Sequence, residues 1–545
     1  MVKRSRESPP TEAPTAKRIR PVSVDRLSRL SDELILRIFS FLSTAQLVVC
    51  QRLSRKYQVL GGDGQLWKAI YYDRFVRPRA SRLPGQKDGE GQGNGSKASR
   101  WLDDQHLTAR DAETNWKKQY KLRHNWTRGS CAINEIEVAE QAAIPPVLVQ
   151  MHDSVIYMAN MKDGLRAWSA KGERKMLAHT MLDDASSPPT SLSVDTRAAK
   201  EGGAKLLVGF EDGGYGIYSL DEQEQRFTHH YTHQPSSNGV ISASAVSWPF
   251  VATMTATQLL SLYRFNDGAR ALDAPLLLHS LKSHTVWPPL SVSLRTSATS
   301  VVISIAYAIP TYLSGWTVGL QEVSVSPKGD LLHSRLASAI EQHYRPLAFA
   351  APPVMHHLVA TATGTLATST TLEFRHIHSK PISLSYTHPY LLVSHPDNTL
   401  TLYLVTSSAE ELSISPGSRL WGHTSSVSGA HVGGRGKAVS VSKRGDELRV
   451  WELEGGFTSS TARKRLASGD LSVKIRSESH STLGPRAEAD LVRRAIAARG
   501  PGACSQYAGE DLTLTRGWIG FDDENVVVLK EQSQGRQALV VYDFT

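Results

Sequence analysis

The stretch LSDELILRIFSFLSTAQLVVCQRLSRKYQVLGGDGQLWKAIYYDRF, residues 30–75, decides how the N-terminal part of the chain folds. Its apolar residues recur at the three- and four-residue steps of one helix face, so the pattern predicts short amphipathic helices. Ser31 is placed to cap the first helix, and Ser43 with Gln46 has the form of a capping box that begins the second. Glycines after Leu60 end the second helix, and a third follows it.

Three helices in so short a stretch bury too little apolar surface to be stable without docking on another surface. A helical cap on a larger domain is one interpretation, but the order of the residues indicates a more specific one. The patterns L-x-x-E-L-I-x-x-I-F-x-F-L, L-S-R-K-Y and D-x-x-L-W-K-x-x-Y follow one another within residues 25–76. Together they resemble the F-box.

This resemblance implies a protein partner. F-box helices of that family dock into the Skp-type adaptor of Skp–cullin–F-box ubiquitin ligases, and the adaptor connects them to a cullin. The apolar residues that would meet the adaptor are Leu30, Leu34, Ile35, Ile38, Phe39, Leu42, Leu47, Leu53, Leu66 and Trp67.

The composition is that of a soluble globular protein with more than one folded unit. The chain has 545 residues, of which 40% are apolar and 21% charged, and this length exceeds what one compact core usually holds. Its three cysteines have neither disulfide-framework nor zinc-ligand spacing, so no metal site is expected. The most apolar run, residues 301–313, is short and interrupted by Pro310, and no membrane role is expected.

The net charge of +10 is concentrated in three segments: the N-terminal tail, residues 76–128 and residues 456–511. Since nucleic-acid binding usually needs basic side chains gathered on a folded surface, this distribution argues against a nucleic-acid partner. The tail, residues 1–24, is rich in Pro, Ser and Thr and is predicted to be disordered. Its basic residues resemble a bipartite nuclear import signal, which predicts a nuclear or cytoplasmic protein; they are Lys3, Arg4, Lys17, Arg18 and Arg20.

A connector follows the F-box. Residues 77–100 are a low-complexity linker, and residues 101–131 are helical in pattern and rich in Trp. The segment N-W-K-K-Q-Y-K-L-R-H-N-W-T-R-G resembles the connector that joins an F-box to a WD-repeat propeller. The large apolar residues predicted to pack it against the F-box and the propeller edge are Trp116, Tyr120, Leu122 and Trp126.

Residues 132–545 are predicted to be all-β, so the chain as a whole is mainly β. Short alternating strands are separated by Gly, Asp, Asn and Pro turns, and a degenerate repeat suggests a WD-repeat-like propeller with about seven blades. The aligned strand anchors are Trp168, Tyr218, Tyr263, Gln321, Tyr403, Trp451 and Tyr542. The strand at 133–138 is predicted to complete the last blade beside 539–544, and residues 455–511 are predicted to be a long insertion.

The best single repeat runs from residue 420 to residue 453 and resembles a WD repeat, in which a histidine bonds a turn carboxylate and ties inner strands to outer ones. The residues predicted to hold blades together in this way are His423, Asp446, Trp451, Trp168, Asp212 and Asp397. They are structural, and the degenerate repeat assigns no substrate-binding residue.

The sequence contains no nucleophile elbow, P-loop, H-E-x-x-H or C-x-x-C motif. A non-catalytic chain without a cofactor is therefore expected. The favoured hypothesis is a ligase receptor: the F-box binds the adaptor, and the propeller binds a protein substrate, phosphorylated or not, for ubiquitination and degradation. The alternative is a propeller scaffold for protein–protein interaction, without ligase function.

Overall fold

The computed structural model describes residues 27–77, 114–182, 187–195, 203–266, 274–283, 286–311, 315–339, 379–408, 411–433, 436–445, 447–453, 472–477, 514–532 and 535–545. They form two compact units. We call residues 27–77 with 114–120 the helical unit, and the described residues from 121 onward the propeller unit.

The helical unit begins with a single 3-10 turn, Leu27–Arg29, and its last helix runs into one wider turn, Tyr72–Val76. The α-helices between them are α1 (Asp32–Phe39), α2 (Thr44–Cys50), α3 (Arg55–Leu60) and α4 (Gly64–Tyr71). The connector helix is α5 (Trp116–Arg128). Its first turn belongs to the helical unit and its remainder to the propeller unit.

The capping pattern explains where these helices begin, with two corrections. The capping box is confirmed: the Gln46 amide donates to the Ser43 hydroxyl, and the Ser43 amide donates to the Gln46 side chain at 3.0 Å. Ser31 occupies the N-cap position of α1 but makes no side-chain cap bond. The predicted second helix is two helices, because Ser54 adopts an extended conformation and its hydroxyl accepts from the Tyr57 amide at 3.1 Å, which begins α3.

The propeller unit contains seven sheets, in which neighbouring strands pair antiparallel except for one short parallel pair in the last sheet. Blade 1 contains β2 (Leu148–His152), β3 (Val155–Asn160), β4 (Gly164–Ser169) and β5 (Met176–Thr180). Blade 2 contains β6 (Pro189–Val194), β7 (Ala204–Phe210), β8 (Tyr215–Asp221) and β9 (Arg226–His233). Blade 3 contains β10 (Ile241–Ser247), β11 (Phe250–Thr255), β12 (Leu259–Arg264) and β13 (Leu276–Lys282).

The strands of blades 4 to 6 are β14 (Trp287–Thr296), β15 (Val301–Thr311), β16 (Gly315–Val325), β17 (Leu331–Ser338); β18 (Ser383–Thr387), β19 (Tyr390–Ser394), β20 (Leu400–Ser407), β21 (Leu412–Ile414), β22 (Ser418–Leu420); β23 (Val427–Val432), β24 (Lys437–Ser442), β25 (Leu448–Glu452), β26 (Ser472–Lys474). Those of blade 7 are β1 (Ser130–Ala139), β27 (Arg476–Ser477), β28 (Leu514–Phe521), β29 (Asn525–Glu531) and β30 (Gln537–Asp543).

Both ends of the propeller sequence close the ring, as predicted. β1 pairs antiparallel with β30, and Ile133 lies opposite Tyr542. The two ends of the propeller sequence therefore share one sheet, and this pairing leaves neither strand as an open edge. The core lies between neighbouring blades: Leu529 and Leu539 of blade 7 pack with Ile156 and Met158 of blade 1.

All seven predicted anchors fall on the third strand of a blade, which confirms the blade number. The predicted insertion at 455–511 needs a correction, because it is not one continuous loop. Its residues 472–477 form β26, which pairs with β25, and β27, which pairs parallel with β1. The remainder of that stretch, the tail at 1–24 and the linker from residue 78 onward lie outside the described residues.

Candidate functional site

The helical unit buries one stripe of α1 and exposes another. Ile35 and Phe39 lie four residues apart and face inward, where the Phe39 ring meets the Tyr57 ring edge-on at 5.6 Å between centroids. The second stripe, Leu34 and Ile38, continues to Phe41 just past the helix, and these side chains are 53%, 43% and 73% exposed. We call Leu34, Ile38 and Phe41 the outward stripe.

Five residues that the sequence predicted to meet the adaptor are instead the interior of the helical unit; they are Ile35, Phe39, Leu47, Leu66 and Trp67. The prediction that these five contact the adaptor directly is therefore corrected, because other side chains of the helical unit already cover them. Leu34, Ile38 and Leu53 are exposed, and Leu30 and Leu42 are half-buried.

Further exposed apolar residues were missed by the sequence analysis. Val48 and Val49 on α2, Val59 on α3, and Phe41 are all more than two-fifths exposed. Isolated exposed apolar side chains are ordinary, but so many on one small unit indicate a protein-binding surface. The sequence does contain a signal for these residues: α1 and α2 carry apolar residues on more than one face. A helix that packs on only one side needs a single apolar face.

Aromatic residues and a few polar bonds hold this unit together. The Trp67 indole N–H donates to the Gly61 carbonyl at 2.7 Å, and the Tyr120 ring lies 5.3 Å from the Trp67 ring. The Trp116 ring lies 5.6 Å from that of Tyr71. Lys117 donates to the Gln51 side chain at 2.6 Å. The predicted packing of Trp116 and Tyr120 against the preceding helices is confirmed.

The N-terminus of α1 has its own charge arrangement. Hydrogen bonds from the Glu33 backbone amide and from the Ser31 hydroxyl hold the pKa of the Glu33 carboxyl below its usual range. The Lys56 ammonium lies 3.0 Å from the Asp32 carboxylate and donates to the Leu30 carbonyl at 3.2 Å. These polar groups lie at the end of α1 from which the outward stripe begins.

The second part of α5 belongs to the propeller unit. Its Trp126 ring stacks on the Phe544 ring at 4.0 Å, and its indole N–H donates to the Asp523 carbonyl at 2.8 Å. The Lys437 ammonium lies 4.4 Å from the centre of the Trp126 ring. Leu122 packs in the same buried cluster, so the predicted packing of Leu122 and Trp126 at the propeller edge is confirmed.

The blade 6 histidine network is present. The His423 Nε2 atom lies 2.6 Å from the Ser440 hydroxyl oxygen, which also accepts the Trp451 indole N–H at 2.8 Å. The carboxylate that faces His423 Nδ1, at 3.5 Å, is that of Glu447. Asp446, the predicted acid, lies outside the described residues.

Glu447 is almost fully buried and well satisfied. It accepts from the Thr424 amide at 2.8 Å, from the Thr424 hydroxyl at 2.9 Å and from Arg449 Nε at 2.8 Å. Burial acts to raise the pKa of this carboxyl, but the bonds from Thr424 and Arg449 outweigh it and lower the pKa to about 2. Glu447 is therefore ionised in the folded protein and ties the loop before β23 to the turn before β25.

The predicted structural residues Asp212 and Asp397 form hydrogen bonds within the turns in which they lie. The Asp212 carboxylate accepts from the Gly214 amide, and that of Asp397 accepts from the Thr399 amide and hydroxyl. Asp397 is also ion-paired with Arg419. Trp168 is partly buried against the cluster between blades 7 and 1.

Blade 4 contains a buried acid that the sequence analysis missed. Glu322 on β16 is fully buried and lies 2.5 Å from Arg295 Nη2 and 3.3 Å from Arg335 Nη2. It also accepts from the Ser304 hydroxyl at 3.2 Å and, across the gap to blade 5, from the Ser407 hydroxyl at 2.7 Å. The sequence signal for this acid is its spacing: Glu322 is two residues after the buried Leu320, so both side chains lie on the same face of the strand.

The described residues contain neither a metal-binding cluster nor a membrane-spanning helix. No cluster of three or more His, Cys, Asp or Glu side chains there has the arrangement to hold a metal ion. Within the same ranges, no helix combines the length and the apolar character that a membrane-spanning segment needs. The predicted import residues Lys3, Arg4, Lys17, Arg18 and Arg20 lie outside the described ranges.

Comparison with known proteins gives matches to both units. Residues 131–545 match the family described as F-box protein pof12 beta-propeller, and residues 27–73 match the F-box-like family. An F-box protein of Saccharomyces cerevisiae is 30% identical over 121 residues, which are 21% of this chain and 19% of that protein. F-box protein pof12 of Schizosaccharomyces pombe is 23% identical over 438 residues, 78% of this chain and 84% of that one.

Matches among solved structures include the WD40 β-propeller domain of Doa1. It covers 75% of this chain and 95% of that structure, with 12% identity and a TM-score of 0.35. The Saccharomyces cerevisiae Sqt1 structure matches with 10% identity and a TM-score of 0.37, covering 76% of this chain and 99% of that structure.

Proposed function

We propose that this chain, which belongs to the F-box protein pof12 β-propeller family, is the substrate-binding subunit of a Skp–cullin–F-box ubiquitin ligase. In this proposal the helical unit binds a Skp-type adaptor and, through it, a cullin, and the propeller binds the protein that is to be ubiquitinated. The chain forms no covalent bond itself. It supplies proximity, which makes ubiquitin transfer nearly intramolecular.

The outward stripe is the observation that carries the proposal. The helical unit has completed its own core with Ile35 and Phe39, yet Leu34, Ile38 and Phe41 stay in contact with water. Covering such side chains with a partner removes apolar surface from water, which stabilises a complex by about 25 cal/mol for each Å² buried. Anchors at the centre of an interface each contribute on the order of 1–3 kcal/mol.

Co-purification of adaptor and cullin with the full-length chain tests the proposal. We expect the wild-type chain to retain both proteins. We expect the double variant Leu34→Ala, Phe41→Ala to lose most of the adaptor, because both side chains belong to the outward stripe. Since both are exposed, the variant should remain folded, which circular dichroism and thermal unfolding can verify.

Two control variants make the result specific. Leu276→Ala with Leu277→Ala removes two equally exposed leucines from β13 of the propeller, and we expect it to retain the adaptor. Ile35→Ala removes a buried side chain, and we expect it to destabilise the helical unit. If the wild-type chain retains no adaptor, the ligase proposal is wrong and the propeller-scaffold alternative takes its place.

We also propose that the N-terminal tail directs import into the nucleus. The two basic clusters, Lys3–Arg4 and Lys17 to Arg20, support this because they are separated by a Pro- and Thr-rich spacer that suits two acidic pockets on a carrier. Replacing Lys17, Arg18 and Arg20 with Ala in a fluorescent fusion should shift the protein toward the cytoplasm. An unchanged distribution would contradict this proposal without affecting the ligase proposal.

A further inference from the structure

An apolar groove lies on the outer rim of the propeller, between β13 of blade 3 and β17 of blade 4. Both strands are the last in their sheets, and neither pairs with a further described strand on its outer side. Five exposed leucines lie on these two strands: Leu276, Leu277, Leu331, Leu332 and Leu336. In the described part of the chain, the outer strands of the other blades contribute only two exposed large apolar residues, Met176 and Ile133. Exposed apolar surface is therefore concentrated at this groove.

β17 forms one wall of the groove. Leu331 lies opposite Val325 of β16, and Leu336 lies opposite Gln321 of the same strand. Residues directly opposite each other in an antiparallel pair share one face of the sheet, and so do residues two or four apart along a strand. Val325 belongs to the buried cluster between blades 3 and 4. Leu331 and Leu336 therefore lie on the face of blade 4 that is turned toward blade 3.

β13 forms the other wall. Leu276 lies opposite Arg264 of β12, which is two residues after Leu262 of the same buried cluster. Leu276 therefore lies on the face of blade 3 that is turned toward blade 4. The turn between β16 and β17 lies at one end of the groove, where Arg264 Nη1 donates to the Pro327 carbonyl at 3.1 Å. The leucines of both strands thus border one groove, with a cationic side chain at this end.

The groove is basic at the end formed by this turn. Arg264 and the exposed Lys328 lie there, and neither β13 nor β17 contains an Asp or Glu. The acid of the turn itself, Asp330, is exposed and accepts a hydrogen bond from the Ser326 hydroxyl at 3.0 Å. Two cations and one acid leave this end positive. An acidic group of a ligand would be attracted there, modestly and in a salt-dependent way, because the position is exposed to solvent.

We propose that this groove binds an extended apolar segment of the substrate protein that carries an acidic residue at one end. The proposal rests on the proposed function, in which the propeller binds a protein. An open sheet edge takes up an extended strand through its main-chain groups. The leucines beside that edge supply apolar contact, and Arg264 with Lys328 attracts the acid, which sets the direction of the segment.

The size of the apolar surface favours a short segment over a second copy of this chain. Five half-exposed leucines cover an area on the order of 300 Å², whereas each partner of a stable dimer buries about 800 Å². The strand from Leu331 to Leu336 spans about 17 Å. This is the length of an extended segment of about five or six residues.

The test measures retention of synthetic peptides by the immobilised full-length chain. The acid pool holds two peptides in which three Leu alternate with Thr, with Glu before the first Leu or after the last. The neutral pool has Gln in place of Glu, the basic pool has Lys, and the serine pool keeps Glu but has Ser in place of Leu. We expect the acid pool to be retained at least tenfold more strongly than the serine pool. It should be retained about threefold more strongly than the neutral pool, and the basic pool least of these three.

Two pairs of variants connect retention to the groove. Leu331→Ser with Leu336→Ser should abolish retention of the acid pool, and its matched control is Ile133→Ser with Met176→Ser, which changes two exposed apolar residues on the outer strands of other blades. Lys328→Gln should remove the preference for the acid pool over the neutral pool, whereas Lys328→Arg should keep it. All changed side chains are exposed, so the variants should remain folded, which circular dichroism verifies.

The proposal is overturned if the wild-type chain retains the acid pool no better than the serine pool. Unchanged retention in Leu331→Ser with Leu336→Ser, equal loss in its control, or an acid preference that survives Lys328→Gln would overturn it as well. A wild-type chain that sediments as a dimer, with a monomeric Leu331→Ser, Leu336→Ser variant, would assign the groove to a second copy of the chain instead.

Failure of the ligase proposal is separable from failure of this one. Leu34→Ala with Phe41→Ala tests adaptor binding alone and should retain the acid pool as the wild type does. Leu331→Ser with Leu336→Ser should still retain the adaptor. A wild-type chain that retains the acid pool but no adaptor would contradict the ligase proposal and leave the groove as the binding site of a scaffold.

Discussion

Blades 6 and 4 each bury a glutamate, and they use it in different ways. In blade 6, Glu447 is satisfied by Thr424 and Arg449 and serves the network of one blade. In blade 4, Glu322 forms ion pairs with Arg295 and Arg335 and also accepts a hydrogen bond from the Ser407 hydroxyl of blade 5. The first arrangement closes a blade on itself. The second joins two blades.

The two blades compensate the burial of their glutamates with different partners, which is possible because the repeat is degenerate. A buried acid is tolerated only where hydrogen bonds and opposite charges compensate its loss of water. Blade 6 compensates Glu447 with a backbone amide, a hydroxyl and one arginine. Blade 4 compensates Glu322 with two arginines, with the Ser304 hydroxyl of its own blade and with the Ser407 hydroxyl of blade 5.

The largest expected effect distinguishes the anchors of the two blades. Trp451→Ala should lower the free energy of unfolding by about 3–5 kcal/mol, because the ring is fully buried. Its counterpart in blade 4, Gln321, is half-buried, and its side chain donates to the Ser334 hydroxyl at 3.3 Å in a hydrogen bond exposed to solvent. Gln321→Ala should therefore change the free energy of unfolding by no more than about 0.5 kcal/mol.

Urea unfolding of the full chain measures both changes. The two variants can be compared when the free energy of unfolding depends on urea concentration with the same slope in both. Similar losses in the two variants would mean that the third-strand anchor has one role in all blades. The contrast between blades 6 and 4 would then fail.

A smaller effect should depend on pH. The pKa of Glu447 is lowered from 4.5 to about 2 in the folded protein, so its contribution to stability is present above pH 4.5 and is lost as the pH falls toward 2. Glu447→Gln should lower the free energy of unfolding by about 3 kcal/mol at neutral pH, from the size of that shift.

Unfolding of wild type and Glu447→Gln at a series of pH values is the measurement. The difference between the two should shrink between about pH 4.5 and pH 2, because protonation removes the same charge from the wild type. A difference that is constant over this range would show that the charge of Glu447 does not stabilise blade 6.

Much of the fold follows from local sequence patterns. The anchors on third strands, the closing strand beside β30 and the capping box at Ser43 all depend on residues close together in the chain or on a repeat. The break before Ser54 was missed because apolar spacing continues across it from Leu53 to Tyr57. Its signal was the serine, a strong N-cap residue, three positions before Tyr57.

The candidate sites were less predictable, for a physical reason. In α1, residues 34 and 38 and residues 35 and 39 are both apolar pairs at helical spacing, so periodicity alone cannot tell the buried pair from the exposed one. In blade 4, Glu322 is 27 residues from Arg295 and 85 from Ser407. No local pattern connects these residues, and only the closed propeller brings them together.

The smallest expected effect tests whether Glu322 joins two blades. Ser407→Ala removes the hydrogen bond that blade 5 donates to this carboxylate. A double-mutant cycle of Ser407→Ala with Glu322→Gln should give a coupling energy of about 1 kcal/mol in urea unfolding. The matched cycle of Ser407→Ala with Glu447→Gln should give none, because Glu447 bonds to Thr424 and Arg449 instead. Equal coupling in both cycles would mean that Ser407 acts on the propeller as a whole, and the distinction between a blade closed on itself and a blade joined to its neighbour would fall.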